Sequence, residues 1–275
     1  MEFCHIKSFL NIMHGKMKRS LVFSLLIVLS LQAQAQYYTA SFERDVAPVA
    51  VGIGLTTLGI ILNNNADGPS LAEIEMLDIE DLNFLDRGTV FNNSETARTI
   101  SDVILYSSAA MPFVTYVSNK CRANGGAIAL MVLETALINN GITSIVKSSV
   151  ERYRPFNYNP GTDDETRLGS TSRESFISGH TSNAAAFAFL SARIITDIHP
   201  ELRRKHLIWI TAATIPAVIG YLRVRAGRHF PTDVIGGYIV GAATGYLIPS
   251  LHLVKNEHVN ISTAGVAGLR LSVKF

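Results

Sequence analysis

Cysteine is scarce in this chain, and charge is sparse. The two cysteines are Cys4 and Cys121, and Cys4 lies in an N-terminal segment that we expect to be removed. An internal disulfide is therefore excluded for the remaining chain. Charged residues make up 17% of the sequence and hydrophobic residues 48%, a balance that excludes an intrinsically disordered protein. Stability must come from packing or from lipid.

Excess positive charge is also missing once the N-terminal segment is set aside. Segment 1–35 contains four of the 24 basic and one of the 22 acidic residues, which leaves 20 basic and 21 acidic residues. Nucleic-acid binding requires positive charge clustered on one face. We therefore expect no nucleic-acid partner, and the length suits a single domain.

The first 35 residues have the pattern of a signal peptide. Lys18 and Arg19 precede the apolar run 20–31, and an Ala-Gln-Ala triplet at 33–35 fits a cleavage site. Met17 directly precedes the basic pair, so residues 1–16 are interpreted as an over-extended start. The pattern predicts export to the cell envelope and a mature domain over residues 36–275.

Apolar, charge-poor segments long enough for helices recur six times, which predicts an all-α fold. They span residues 46–62, 103–117, 125–146, 181–195, 207–222 and 234–254. The acidic region 63–98 predicts a surface loop with short helical turns. In the tail, apolar residues alternate with polar ones over 269–275. This two-residue period predicts a strand, for which residues 37–42 are the expected partner.

Polar motifs lie where three of these helices meet loops. Lys147 and Arg154 form Lys-x6-Arg-Pro at the end of the third segment, although such cations alone are typical of a helix C-terminus. Ser178, Gly179 and His180 open the fourth segment, where free backbone N–H groups attract anions. The structural alternative is an ordinary N-cap followed by a surface histidine.

The third motif is Arg-x5-His-x3-Asp, formed by Arg223, His229 and Asp233 between the fifth and sixth segments. A histidine and an aspartate four residues apart share one helical face, so a purely structural pair is the alternative. The three motifs together place cations, histidines and a carboxylate at helix–loop junctions. That combination favours a site for phosphate transfer.

These motifs resemble the signature of the type 2 phosphatidic acid phosphatase (PAP2) and vanadium haloperoxidase superfamily: Lys-x6-Arg-Pro, Pro-Ser-Gly-His and Ser-Arg-x5-His-x3-Asp. The match spans residues 147–233, with Ile177 and Leu222 where the family has proline and serine. The resemblance implies a six-helix PAP2-type bundle with a catalytic core over 125–250, and the alternating tail adds a short C-terminal β-strand to this fold. It also implies an exported, metal-independent phosphatase for phosphate monoesters.

The resemblance assigns a role to each motif residue. His229 is expected to attack phosphorus and form a phosphohistidine, Asp233 to hold its other ring nitrogen, and His180 to act as general acid with a pKa near neutrality. The expected phosphate ligands are Lys147, Arg154, Ser178, Gly179 and Arg223. No metal or cofactor is expected, and vanadate should bind as a transition-state mimic.

The expected substrate is a phosphorylated lipid or a small phosphate ester. Phosphatidic acid, phosphatidylglycerol phosphate, undecaprenyl pyrophosphate and a lipid A phosphate all remain open. A soluble periplasmic non-specific acid phosphatase is the main alternative. A vanadium haloperoxidase and a non-catalytic anion- or lipid-binding protein are further alternatives.

The lengths of the apolar segments favour an inner-membrane protein with a periplasm-facing site. A soluble periplasmic protein remains an alternative, because the mean hydropathy is only +0.24. Basic residues at 120–122 and 203–205 are expected on the cytoplasmic side. Segment 46–62 has 17 residues and three glycines, which is short for a crossing. It is the segment expected not to span.

Overall fold

The computed structural model describes residues 37–64 and 68–254, together with the backbone of 259–263 and 269–273. Within these residues, eleven α-helices include six of 15 residues or more, so the predicted six-helix all-α fold is confirmed. In chain order they are α1 Phe42–Asn64, α2 Leu71–Glu75, α3 Phe84–Arg87, α4 Glu95–Ala109, α5 Met111–Val114, α6 Asn119–Ala123, α7 Gly125–Val150, α8 Asp164–Arg167, α9 Gly179–Ile198, α10 Lys205–Arg225 and α11 Pro231–His252. The predicted signal peptide, residues 1–35, lies outside the described residues.

Local sequence signals set the helix ends that matter for the site. Ser178 caps α9, with its side chain accepting from the backbone N–H of Thr181. Pro231 occupies the first turn of α11, where its missing N–H costs nothing. At the other end of α7, Glu151 adopts a left-handed conformation with φ 48°. The predicted motifs therefore lie at the end of α7, at the start of α9 and at the junction between α10 and α11.

Helix α9 is the centre of the bundle and contacts α4, α7, α10 and α11. Its closest approach is to α11, where small residues let the two backbones meet. A Cβ added at Gly241 would lie 1.9 Å from the carbonyl oxygen of Ser182, and one at Gly245 would lie 2.1 Å from that of Ala186. Glycine is required at both positions because any side chain would collide with backbone.

Four of the described helices are long and apolar enough to cross a membrane: α1, the segment beginning with α7, α10 and α11. A fifth candidate is the pair formed by α4 and residues 111–117, which bends by 41°. The expectation that segment 46–62 is too short to span is wrong, because α1 extends over 23 residues. Large apolar side chains of α1 such as Val51 and Ile60 are exposed, as lipid contact would require.

The acidic region 63–98 forms short helical turns as predicted, but it is not entirely a surface loop. Asp86 in α3 is fully buried, because it pairs with groups behind the site described below. In the tail, strand β2 (Leu269–Val273) is present, but its partner is β1 (Val259–Thr263), antiparallel with Ile261 opposite Leu271. The predicted pairing with residues 37–42 is wrong, since Tyr38 forms its bridge with Leu253.

Candidate active site

The three predicted motifs converge at one end of the bundle. Lys147 lies in the last turn of α7. Arg154 follows α7 and is anchored from both sides, because its backbone N–H donates to Ser172 (2.9 Å) and its Nε donates to the carbonyl of Thr171 (2.9 Å). Its side chain is thereby aimed at the junction between α10 and α11.

Cations from four parts of the chain line a cleft of about 200 Å³. Its lining residues are Arg98, Asp102, Arg154, His180, Arg223 and Arg228. Arg154 and Arg223 are only 8% and 5% exposed. Two buried guanidiniums with a third and fourth arginine beside them form a strong anion site, since arginine offers paired donors to phosphate oxygens.

His229 is 1% exposed and its orientation is fixed by one hydrogen bond. Its Nδ1 lies 2.8 Å from the carbonyl oxygen of Ser175. A carbonyl oxygen can only accept, so Nδ1 carries the proton and Nε2 keeps its lone pair. Burial lowers the pKa of His229 well below its usual value, and the positive charges of Arg154, Lys147 and Arg223 lower it further. The result is a neutral imidazole beside three cations.

The predicted contact between Asp233 and His229 needs correction. The nearest carboxylate oxygen, Oδ2, lies 3.8 Å from Nδ1 of His229, which is too long for a hydrogen bond. That oxygen instead accepts from the hydroxyl of Ser175 and from the backbone N–H of Phe230 (2.8 Å). Asp233 therefore positions His229 through Ser175, whose carbonyl holds the ring.

Behind Asp233 lies a buried network that sequence reasoning missed. Arg152 donates from Nη1 to Asp233 Oδ1 at 2.6 Å and from Nη2 to Asp86 Oδ2 at 2.7 Å. Asp86 also accepts from the hydroxyl of Thr232 at 2.6 Å. Thus the acidic region, through Asp86, holds the start of α11 and Asp233, which positions His229.

His180 is paired with a residue that the motifs do not contain. Its Nε2 lies 2.7 Å from Oδ1 of Asp102 in α4, and Nη1 of Arg223 donates to the same oxygen at 3.3 Å. Burial, followed by the positive charge of Arg223, lowers the pKa of His180 to about 4, against the opposing effect of Asp102. This corrects the expected pKa near neutrality.

Lys147 and Gly179 lie on a second, adjoining cavity of about 390 Å³ that is also lined by His180. Nζ of Lys147 donates to the carbonyl of Glu174 at 3.2 Å. Apolar side chains of α1 and α4, Ile60 and Leu105, line the same groove. His180 is therefore shared between an arginine-rich cleft and a partly apolar groove.

Ser178 has a different position from the one predicted for a phosphate ligand. It is fully buried, and its hydroxyl lies 3.0 Å from that of Thr181. Its backbone N–H donates to the carbonyl of Asp233 at 3.0 Å. The capping interpretation of Ser178 is confirmed, and this residue links the start of α9 to the start of α11.

Residues 128–257 match the profile of the PAP2 superfamily, the segment that contains all three motifs. The chain is similar to the PAP2 superfamily over this segment, which makes up just under half of its length. The PAP2 segment runs from α7 to just past α11, so Asp86, Arg98 and Asp102 come from outside it.

Two curated relatives are identical to this chain at about one third of the aligned positions. Phosphatidylglycerophosphatase B of Bacillus subtilis (strain 168) is 33% identical over 124 residues, covering 45% of this chain and 56% of the relative. Lipid A 4'-phosphatase of Porphyromonas gingivalis (strain ATCC 33277) is 32% identical over 131 residues, covering 46% and 50%. The chain thus spans about half the length of the curated relatives it matches.

A solved structure is also similar, the transmembrane PAP2 type phosphatidylglycerolphosphate phosphatase from Bacillus subtilis. The two chains are 22% identical with a TM-score of 0.46, and the match covers 72% of this chain and 94% of the other.

Proposed function

We propose that this protein hydrolyses phosphate monoesters of lipids through a phosphohistidine on His229. The proposal rests on the protonation state and orientation of the His229 imidazole. Its Nδ1 proton is held by the Ser175 carbonyl at 2.8 Å, so the free lone pair is on Nε2. A neutral imidazole with a fixed tautomer is the form that attacks phosphorus.

In the first step, Nε2 of His229 attacks phosphorus and the bond to the ester oxygen breaks. His180 donates a proton to that oxygen, so the lipid leaves as an alcohol. In the second step, His180 takes a proton from water, and the resulting hydroxide attacks phosphorus. The N–P bond breaks and phosphate leaves, which restores both histidines.

Charge stabilisation falls to the cations around the reacting phosphate. Negative charge spreads over three equatorial oxygens during phosphoryl transfer, and Arg154 and Arg223 are each able to bind two of them. Lys147 adds a point charge from the groove side. We propose that these groups suffice without a metal or cofactor, and that vanadate binds the same cleft as a transition-state mimic.

The lipid part of the substrate is assigned to the groove beside the cleft. His180 lines both cavities, so a phosphate held by the arginines places its ester oxygen near this histidine and its alcohol part toward Ile60 and Leu105. The two curated relatives are named as phosphatases of phosphatidylglycerophosphate and of lipid A. We propose a membrane lipid phosphate of this class as the substrate.

The site is proposed to face away from the cytoplasm. Lys120 donates to Glu201 at 2.8 Å, and Ser118 lies 2.8 Å from His199, so the two predicted basic loops meet at one end of the bundle. The catalytic motifs occupy the opposite helix ends. Basic loops favour the cytoplasmic side, which supports an exported, periplasm-facing active site in the inner membrane.

The test is to trap the intermediate. Purified protein in detergent, mixed with phosphate-labelled phosphatidylglycerol phosphate and quenched in alkali, should carry an alkali-stable, acid-labile label on His229. His229→Gln should lose both the label and phosphate release, whereas the exposed control His206→Gln should keep them. A label that persists in His229→Gln would refute the proposal. Bromide oxidation with vanadate and peroxide, in place of phosphate release, would favour the haloperoxidase alternative.

A further inference from the structure

A second cluster of ionisable side chains lies at the end of the bundle away from the active site. Asp45 comes from the first turn of α1, Glu134 from the first half of α7, and His252 is the last residue of α11. They are 5%, 0% and 0% exposed. Glu134 precedes Lys147 by 13 residues on the same helix, which corresponds to about 20 Å. The proposed catalytic steps make no use of this cluster.

The hydrogen bonds within the cluster are incomplete. Nε2 of His252 lies 2.7 Å from Oε2 of Glu134, while its Nδ1 lies 3.7 Å from Oδ1 of Asp45. Among the described residues, Nδ1 of His252 and Oε1 of Glu134 have no hydrogen-bond partner. Buried polar atoms normally find one, because leaving them unpaired is costly.

The lone pair of His252 and the carboxylate of Asp45 would repel one another unless a cation lay between them. If Nε2 of His252 donates its proton to Glu134, Nδ1 presents a lone pair toward the carboxylate of Asp45. Two carboxylates then share one formal counter-charge, the guanidinium of Arg44, whose Nε donates to Asp45 Oδ1 at 2.7 Å. Arg44 is 34% exposed on its side chain, so its charge is partly screened by the surroundings.

We propose that Asp45, Glu134 and His252 bind a divalent transition-metal ion. One donor atom from each residue lies within 4.8 Å of the other two. Nitrogen and oxygen ligands sit about 2.0–2.2 Å from zinc, so donors on one ion lie roughly 3–4 Å apart. The 3.7 Å between His252 Nδ1 and Asp45 Oδ1 fits this spacing, and Glu134 would bind through its unpaired Oε1. One imidazole with two carboxylates is a donor set suited to Zn²⁺ or Mn²⁺, and the two negative charges balance the ion.

The ion would fasten α1 to the rest of the bundle. Its ligands come from α1, α7 and α11, and the same end is joined by a backbone bond from Thr39 N–H to the carbonyl of His252 at 2.9 Å. Helix α1 also supplies Ile60 to the groove beside the active site. The proposed role is therefore structural, and it is independent of the metal-free chemistry proposed for His229.

The experiment measures metal uptake directly. The full chain, purified in detergent and stripped with chelator, is dialysed against Zn²⁺ and its metal content is determined by mass spectrometry. About one Zn²⁺ per chain is expected for the wild type, with a loss in Glu134→Gln and His252→Gln. The control Asp197→Asn removes a carboxylate at the same end of the bundle and should retain the ion.

A second measurement guards against variants that fail to fold. The chelated wild type should gain thermal stability on adding Zn²⁺, since an ion that binds only the folded state stabilises it. Co²⁺ should add a visible ligand-field spectrum that is absent in Glu134→Gln. If the wild type takes up no more Zn²⁺ than Glu134→Gln and its unfolding temperature does not move, the proposal is overturned.

Discussion

Asp102 should control the proton that His180 gives to the leaving group. Its Oδ1 lies 2.7 Å from His180 Nε2, and its carboxylate stabilises the protonated ring. Asp102 is 38% exposed on its side chain, so an effective dielectric constant of about 40–80 is appropriate and gives about 1.5–3 kcal/mol. Asp102→Asn should therefore lower kcat/KM for an alkyl phosphate by about 10- to 200-fold.

The assay compares two leaving groups on the purified protein. Phosphate release from phosphatidylglycerol phosphate needs protonation of an alkoxide, whereas p-nitrophenyl phosphate releases a stable phenolate. Asp102→Asn should slow the first reaction much more than the second, with kcat affected rather than KM. The pH at which kcat/KM declines should also move lower, because the variant loses the charge that raises the pKa of His180.

Glu201→Gln is the matched control for this experiment. Glu201 also pairs with a histidine, at 3.1 Å from Nδ1 of His199, but it lies at the opposite end of the bundle. Its loss should leave both substrates unaffected. Equal losses on the two substrates in Asp102→Asn, or a pH profile identical to the wild type, would refute the assignment of Asp102 as the positioning residue for His180.

Three further outcomes are expected. The pKa of about 4 for His180 predicts that kcat/KM falls as pH rises above this value. The decline in kcat should begin at a higher pH than the decline in kcat/KM, because the negative charge of bound phosphate raises the pKa of His180. Asp86→Asn removes a buried partner of Arg152 and should cost about 3 kcal/mol in denaturant unfolding. Gly241→Val should abolish the monodisperse peak in gel filtration, whereas Gly54→Val, where an added Cβ has open space, should retain it.

The sequence predicts the six helices and the convergence of the motifs because both depend on local signals. Apolar runs identify α7, α9, α10 and α11, and proline and serine mark the helix starts that carry the motifs. Charged residues that cluster at the ends of predicted helices can be recognised from the sequence alone. Five of the predicted segments differ from the observed helices by four residues or fewer, since the last turns of a helix are often polar. Segment 103–117 is the exception, because its helix α4 begins at Glu95 and ends at Ala109.

The partners of the histidines could not be predicted in the same way. Asp102 is 78 residues from His180, and it comes from a helix outside the motifs. Asp86 belongs to a region whose acidic composition argues for exposure. Its burial depends on Arg152, 66 residues away, and single-sequence patterns do not encode such pairings. The sequence shows Asp102 only as a polar residue directly before an apolar segment. Many surface residues have the same position, so this pattern does not identify Asp102 as a site residue.

In the proposed mechanism, the neutral state of His229 follows from the same charges that would bind the substrate phosphate. Before phosphate arrives, Arg154, Lys147 and Arg223 oppose protonation of the buried ring, which keeps Nε2 available for attack. Once phosphate is bound, its negative charge offsets these cations, so the positive charge that develops on the ring during attack meets less repulsion. The Ser175 carbonyl, which accepts from Nδ1, would then stabilise the proposed cationic phosphohistidine. The cations thus suppress protonation of His229 in the free enzyme. Bound phosphate offsets their charge, so they oppose the positive charge on the ring less during the attack.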